Sequence, residues 1–191
     1  MRMERDDNGD GRIDLKVFYK DELQTKALRD TDGDGRFETV QHFRRAPWDV
    51  FVETDKDGDG KAEDTFGYKN GQLRFKSLDE TGDGIPDMEE TYNAQGRLVR
   101  SREAENEDGR FSLTWFYNEE EEAIRGEKDG DGDGRVDTWF HYENGQVKSV
   151  EEDRNRDGKP DLWEYYDSSE ALVRRSEDLD FDGTADVVRT E

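Results

Sequence analysis

Residues 129–150 read DGDGDGRVDTWFHYENGQVKSV. The first nine carry carboxylates at positions 1, 3, 5 and 9 (Asp129, Asp131, Asp133 and Asp137) and a glycine, Gly134, at position 6. Residues 138–143 then alternate with the period of a strand. Thr138, Phe140 and Tyr142 fall on one side, Trp139 and His141 on the other. Asn144 and Gly145 come next, and the chain resumes with Val147 and Val150 among polar residues. Asn-Gly between such segments is the strongest short hairpin signal, because both residues tolerate the positive φ of a tight turn. The stretch therefore predicts an acidic loop that leads straight into a β-hairpin.

The arrangement recurs along the whole chain. Equivalent nine-residue loops start at Asp6, Asp30, Asp55, Asp79, Ala104, Asp129, Asp153 and Asp178, at intervals of 24 or 25 residues. Position 8 is apolar in every loop, from Ile13 to Ala185. Six residues later comes an aromatic on the same strand face: Tyr19, Phe43, Tyr68, Tyr92, Tyr117, Tyr142 and Tyr166. NGQL at 70–73, QGRL at 95–98 and NGQV at 144–147 supply turns, and RRAPWD at 44–49 stands in place of one. The expectation is an all-β chain: one repeat domain over residues 1–191, about eight hairpins forming an elongated, twisted antiparallel sheet with the acidic loops along one edge. The aromatic column is expected to pack along one face.

Composition agrees that this is no ordinary globule. Of 191 residues 29% are hydrophobic and 42% charged, and the formal net charge is −23. Such a chain cannot offset its ordering entropy by apolar burial alone, so it is either disordered or helped to fold by something outside the sequence. Glycine and aromatics in fixed register argue against disorder. There is no cysteine, which excludes disulfides, thiolate metal sites and cysteine nucleophiles. No apolar run approaches a membrane span, and no secretion signal is expected at the start of this chain. The acidity speaks against nucleic acid and membrane insertion. His42 and His141 stand apart from any nucleophile, and no enzyme signature is found.

Carboxylates crowded into nine residues repel by about 4 kcal/mol per close pair at an effective dielectric of 20, a cost that a cation between them removes. Side chains at positions 1, 3, 5 and 9 and the carbonyl of position 7 make an all-oxygen set, which suits a hard cation, calcium above all. The expected ligands are Asp6, Asn8, Asp10, Arg12 and Asp14; Asp30, Asp32, Asp34, Arg36 and Glu38; and Asp55, Asp57, Asp59, Lys61 and Glu63. The fourth loop offers Asp79, Thr81, Asp83, Ile85 and Asp87, with Thr81 weakening it. The later loops offer Asp129, Asp131, Asp133, Arg135 and Asp137; Asp153, Asn155, Asp157, Lys159 and Asp161; and Asp178, Asp180, Asp182, Thr184 and Asp186. The residue at position 7 contributes only its carbonyl. In the fifth loop Ala104 and Ser112 replace two ligands, so about seven calcium ions are expected and none there. The 25 acids at positions 1, 3, 5 and 9 of those seven loops, taken from 52 in all, leave 27 against 29 Lys plus Arg, so the excess acidity resides in the loops.

The loop resembles the first part of an EF-hand loop, but position 12, where an EF-hand places its closing Glu, varies from Val17 to Arg189 here. A loop closed at position 9 instead resembles those of FG-GAP repeats and of thrombospondin type 3 repeats, in which calcium is held by positions 1, 3, 5 and 9 and the carbonyl at 7. The period is shorter than an FG-GAP blade and the thrombospondin cysteines are absent, so that resemblance implies a ligand set and no fold. The hairpin half, WFHYENGQVKS at 139–149, resembles MORN-like repeats, which stack hairpins into an open sheet. Together these features predict a calcium-stabilised structural or assembly repeat, extracellular or at the cell surface. Its expected partners are calcium and either itself, head to tail in filaments, or another surface or matrix protein. A multivalent calcium buffer or sensor and a MORN-like protein-binding scaffold remain alternatives.

Overall fold

The computed structural model describes residues 1–105 and 109–190. The chain is all-β, with sixteen antiparallel strands laid down as consecutive hairpins. It divides into two units, Met1–Gly96 and Arg97–Glu191. The first holds β1 (Arg2–Arg5), β2 (Leu15–Lys20), β3 (Leu23–Arg29), β4 (Thr39–Phe43), β5 (Val50–Thr54), β6 (Asp64–Lys69), β7 (Gln72–Leu78) and β8 (Met88–Tyr92). The second holds β9 (Leu98–Glu103), β10 (Leu113–Tyr117), β11 (Ala123–Lys128), β12 (Thr138–Glu143), β13 (Gln146–Glu152), β14 (Leu162–Tyr166), β15 (Leu172–Glu177) and β16 (Val187–Thr190). Within each unit strand order is chain order, the open pattern that short hairpin connections impose.

The turns form where the sequence places them. Asn70 and Gly71 have φ of 53° and 75°, and Asn144 and Gly145 have 54° and 76°, the two positive values of a type I′ turn. Asp21 and Glu22 adopt the same pair of angles, 50° and 64°, without any glycine. Beside five of the turns the register shifts by one residue at the column tyrosine: Tyr19, Tyr68, Tyr117, Tyr142 and Tyr166. Each shift is a bulge that lets one extra residue stand opposite the tyrosine and increases the local twist.

Little of the core is apolar. Among the described residues the buried hydrophobics are Leu15, Val17, Ala27 and Leu162. Leu15, Val17 and Ala27 cluster with Tyr19 and Phe43, so the aromatic column is packing in the first hairpins. Later tyrosines turn their hydroxyls to polar neighbours, Tyr92 to Glu90 at 2.6 Å and Tyr166 to Glu164 at 2.7 Å. Ring contacts come from tryptophans instead. Trp115 packs 5.7 Å from Tyr142 edge-on and 6.4 Å from Phe140, over the gap left by Gly126. Trp48, from the segment that replaces a turn, stacks on Phe75 at 5.8 Å and covers Gly67. His42 and His141 lie 3.0 and 3.4 Å from Glu53 and Glu151 on neighbouring strands.

Most of the remaining buried side chains are acidic: Asp14, Asp30, Glu38, Glu63, Asp79, Asp153, Asp161 and Asp178. Every one stands at position 1 or position 9 of a loop.

Candidate metal centres

Each loop leaves one strand and enters the next, and position 9 is where the sheet resumes. The Asp14 N–H donates to the Arg5 carbonyl at 3.0 Å, and the Asp14 carbonyl accepts from the Asp30 N–H of the next loop at 2.8 Å. The same two bonds flank Glu63, Ser112, Asp137 and Asp161. A loop whose last acid already sits in a ladder can run directly into a strand, and with neighbours on both sides that acid is buried at Asp14, Glu38, Glu63 and Asp161.

Inside the loop the carboxylates organise the backbone. In the second loop Asp30 accepts from the Gly33 and Gly35 N–H groups at 2.7 and 2.8 Å, Asp32 from Asp34 at 3.0 Å, and Asp34 from Arg36 at 2.7 Å. Glu38 accepts from the Thr31 N–H at 2.8 Å and closes the ring. The set repeats in the third loop through Asp55, Asp57, Asp59 and Glu63, and in the sixth through Asp129, Asp131, Asp133 and Asp137. These bonds need positive φ at positions 4 and 6, as at Gly33 (80°) and Gly35 (98°). Arg156 and Phe181 hold position 4 with φ of 66° and 61°, conformations that a side chain disfavours.

Four groups of acids converge with oxygens within 4.8 Å of one another: Asp30, Asp32, Asp34 and Glu38; Asp55, Asp57, Asp59 and Glu63; Asp129, Asp131 and Asp137; and Asp178, Asp180 and Asp186. Each could hold a metal ion. Asp133 and Asp182 stand outside their groups, each bonded to the N–H of position 7. Among the described residues no other three acidic side chains converge so closely. Asp6, Asp10 and Asp14, then Asp79, Asp83 and Asp87, then Asp153, Asp157 and Asp161 belong to loops whose position 3 is neutral (Asn8, Thr81 and Asn155).

Local electrostatics mark the crowding. Asp180 accepts an N–H from Asp182, which favours its charge. Yet the charges of Asp182 and Asp186, burial and Asp178 together push its carboxyl above the usual range. Asp6 is held below it by the Gly11 and Gly9 N–H groups. Burial pushes Asp79 up, but the Gly84 and Gly82 N–H groups and the Thr81 hydroxyl outweigh it. Two position-9 oxygens, Asp14 Oδ1 and Glu38 Oε1, are buried without a hydrogen-bond partner on side chains only 5% exposed. A buried carboxylate oxygen left so costs several kcal/mol unless a cation meets it. All-oxygen donors, converging charge and orphaned oxygens fit a hard divalent cation.

Three loops of the second unit have an acid already paired with a cation of the protein, and in the sixth it is Asp131, whose Oδ2 lies 2.9 Å from Arg156 Nε. In the seventh, Arg154 lays its guanidinium on Asp161, Nε to Oδ1 at 2.5 Å, and reaches Glu177 at 3.5 Å. That contact occupies the oxygen expected to close the site. In the fifth, Ser112 Oγ lies 3.4 Å from the Glu105 N–H and donates to the Glu105 carboxylate at 3.1 Å, while the Lys128 ammonium sits 2.8 Å from the same group. Lys128 and then Ser112 hold Glu105 below the usual carboxylate range. The middle of this loop, Asp108 included, lies outside the described residues.

The fold adds a contact that residue spacing does not announce. In four loops the position-7 side chain reaches the backbone of the next loop. Arg12 donates to the Gly33 carbonyl at 3.0 Å, Arg36 to those of Asp57 and Lys56 at 2.8 and 3.0 Å, Lys61 to Asp83 at 2.6 Å, and Arg110 to Gly132 at 2.8 Å. Its trace in the sequence is Arg or Lys at position 7 in six of the eight loops (Arg12, Arg36, Lys61, Arg110, Arg135 and Lys159).

No protein-family model matches this chain, and no curated protein matches it. Among solved structures it is similar to a mutant of S. aureus TarM in complex with Fondaparinux, alpha-GlcNAc-glycerol and UDP. The identity is 11% over 77% of this chain and 21% of that one, with a TM-score of 0.19. This chain spans about a fifth of that protein's length, and a likeness at that score carries no argument.

Proposed function

We propose that this protein is a calcium-stabilised structural repeat, its hairpins held in register by about seven ions bound in the acidic loops. The observation that carries the reading is the burial of acids at positions 1 and 9, with Asp14 Oδ1 and Glu38 Oε1 lacking a hydrogen-bond partner and the Arg36 guanidinium no closer than 4.0 Å to the latter, in a sheet with almost no apolar core. Calcium suits the site better than magnesium, because it accepts six to eight oxygens in flexible geometry whereas magnesium demands a near-ideal octahedron. Seven divalent ions would bring the formal charge from −23 to −9. A structural role needs only the weak sites typical outside cells, about 0.1–1 mM, and fits an extracellular or cell-surface setting. Its partners on this reading are calcium and either another copy or another surface or matrix protein.

The test is a calcium titration by calorimetry, with ion content measured by mass spectrometry under native conditions. About seven ions with sub-millimolar to millimolar affinity support the reading. Micromolar or tighter binding would favour a calcium buffer, and no binding would sink both.

A further inference from the structure

We propose that the position-7 cations couple neighbouring calcium loops, so that the four loops of the first unit, 6–14, 30–38, 55–63 and 79–87, fill as one row. The proposal rests on the calcium reading of those loops and concerns how their occupancies depend on one another.

Position 7 has two roles in one residue. Its N–H donates to the position-5 carboxylate of its own loop, as Arg36 does to Asp34 at 2.7 Å and Lys61 to Asp59 at 2.8 Å, and its carbonyl is an expected ion ligand. Its side chain meanwhile ends on the next loop. Arg36 spans two successive carbonyls there, those of Lys56 and Asp57, at positions 2 and 3 of the third loop. The contact is built into the receiving loop. A Cβ added at Gly58 would lie 1.3 Å from Arg36 Nη1, and one at Gly84 would lie 2.3 Å from Lys61 Cδ. Glycine at position 4 of the third loop and at position 6 of the fourth therefore also makes room for the neighbour's cation.

Charge neutralisation alone does not explain these contacts. Arg36 Nε and Lys61 Nζ approach the carboxylates of their own loops, Asp34 and Asp59, only to 3.9 Å. Their short bonds go to backbone carbonyls of the next loop. Each carbonyl so held is part of a curl that an ion must order. Ordering one loop fixes the base of its cation, and the cation then lowers the ordering cost of the next. The ladder bond from each position-1 N–H to the preceding position-9 carbonyl, such as Asp55 to Glu38 at 2.9 Å, adds a second link. The opposing effect is repulsion between ions in successive loops. Two strand spacings separate those loops by about 10 Å, and the acids of each loop offset the charge of its own ion, so the mechanical link has only a weakened repulsion to exceed. The last loop of the first unit lacks the device, with Ile85 at position 7.

The experiment uses the full chain labelled with 15N-glycine. The amides of Gly35, Gly60 and Gly84 donate to the position-1 carboxylates of their own loops at 2.8, 3.1 and 2.6 Å, so each reports one loop. In the wild type the three should shift together as calcium chloride is added, with a common midpoint and a Hill coefficient above 1. Arg36→Gln should separate Gly35 from Gly60 and Gly84, and Lys61→Gln should separate Gly84 from the other two. In each case the midpoints should part by about fivefold or more, the lower end of ordinary coupling between sites. Arg36→Lys should restore part of the common midpoint. A calcium-saturated spectrum matching the wild type outside the altered loop shows that each variant folds, and the two variants test separate links. Independent wild-type midpoints, or midpoints unmoved in both variants, would overturn the coupling and leave the calcium sites standing. If no glycine signal responds to calcium, the calcium reading falls and takes the coupling with it.

Discussion

At the residue scale, one substitution in this chain should create a better site rather than destroy one. Arg154 competes with any ion for Asp161 Oδ1, and the Asp161 carboxylate first, then its charge and that of Glu177, raise the arginine's own pKa. Arg154 is half-exposed, so the pair is worth no more than ~1 kcal/mol after solvent screening. Arg154→Ala should therefore tighten calcium binding in the loop at 153–161 by up to about fivefold, read from the Gly158 amide during a titration. An unchanged or weaker site would show that the arginine supports the loop instead of guarding it. The neutral Asn155 already makes this loop one carboxylate poorer than the second and third.

At the scale of elements, strands with so little apolar burial depend on local fits. Gly126 in β11 lies between Trp115 and Phe140, and a Cβ there would stand 2.8 Å from the Trp115 ring. Gly126→Val should cost about 1–3 kcal/mol through overpacking, measured as a lower urea midpoint in saturating calcium. The β14 strand carries a pH-dependent contact. Burial, then the hydrogen bond to Glu164 and its charge, raise the Tyr166 hydroxyl from 10.0 to about 12. The neutral phenol is the form that the folded state favours. Its contribution is thus complete below pH about 10, the unfolded value, and is lost as pH rises through about 12. Alkaline unfolding in that window should become shallower in Tyr166→Phe. An absorbance titration should show one tyrosine ionising near pH 12, and if every tyrosine ionises near pH 10 the contact is not formed.

At the scale of the whole molecule, the ions are expected to supply most of the stability. At calcium tenfold above the dissociation constant each site adds about 1.4 kcal/mol by linkage, and seven sites about 10 kcal/mol, comparable to a typical domain's entire stability. Dialysis against EGTA should therefore convert the β-rich chain to an expanded one, with loss of β circular dichroism and a larger scattering radius. An unchanged spectrum and radius would mean that the hydrogen bonds within the loops, such as Gly35 to Asp30, suffice without ions. Ion counting should give about seven, and Asp133→Ala tests whether a position-5 acid outside the converging group still holds an ion.

The hairpins, their turns and the acidic loops were legible in the sequence because they rest on local chemistry. Asn-Gly sets a turn, period-2 alternation sets a strand, and glycine at position 6 permits the curl, each within a few residues. The closing role proposed for position 9 was legible for the same reason, since position 12 had no common chemistry. What the sequence left undecided depends on residues 16 or more apart meeting across neighbouring hairpins. The burial of Asp14 beside Asp30, Lys128 on Glu105, and the reach of Arg36 into the next loop all arise only when one hairpin is laid against the next. So does the packing of Trp115 against Tyr142 and Phe140. A sequence shows that these side chains recur, but a long flexible cation can end on its own carboxylate, on a neighbour's carbonyl or in water, and only the packed sheet selects among them.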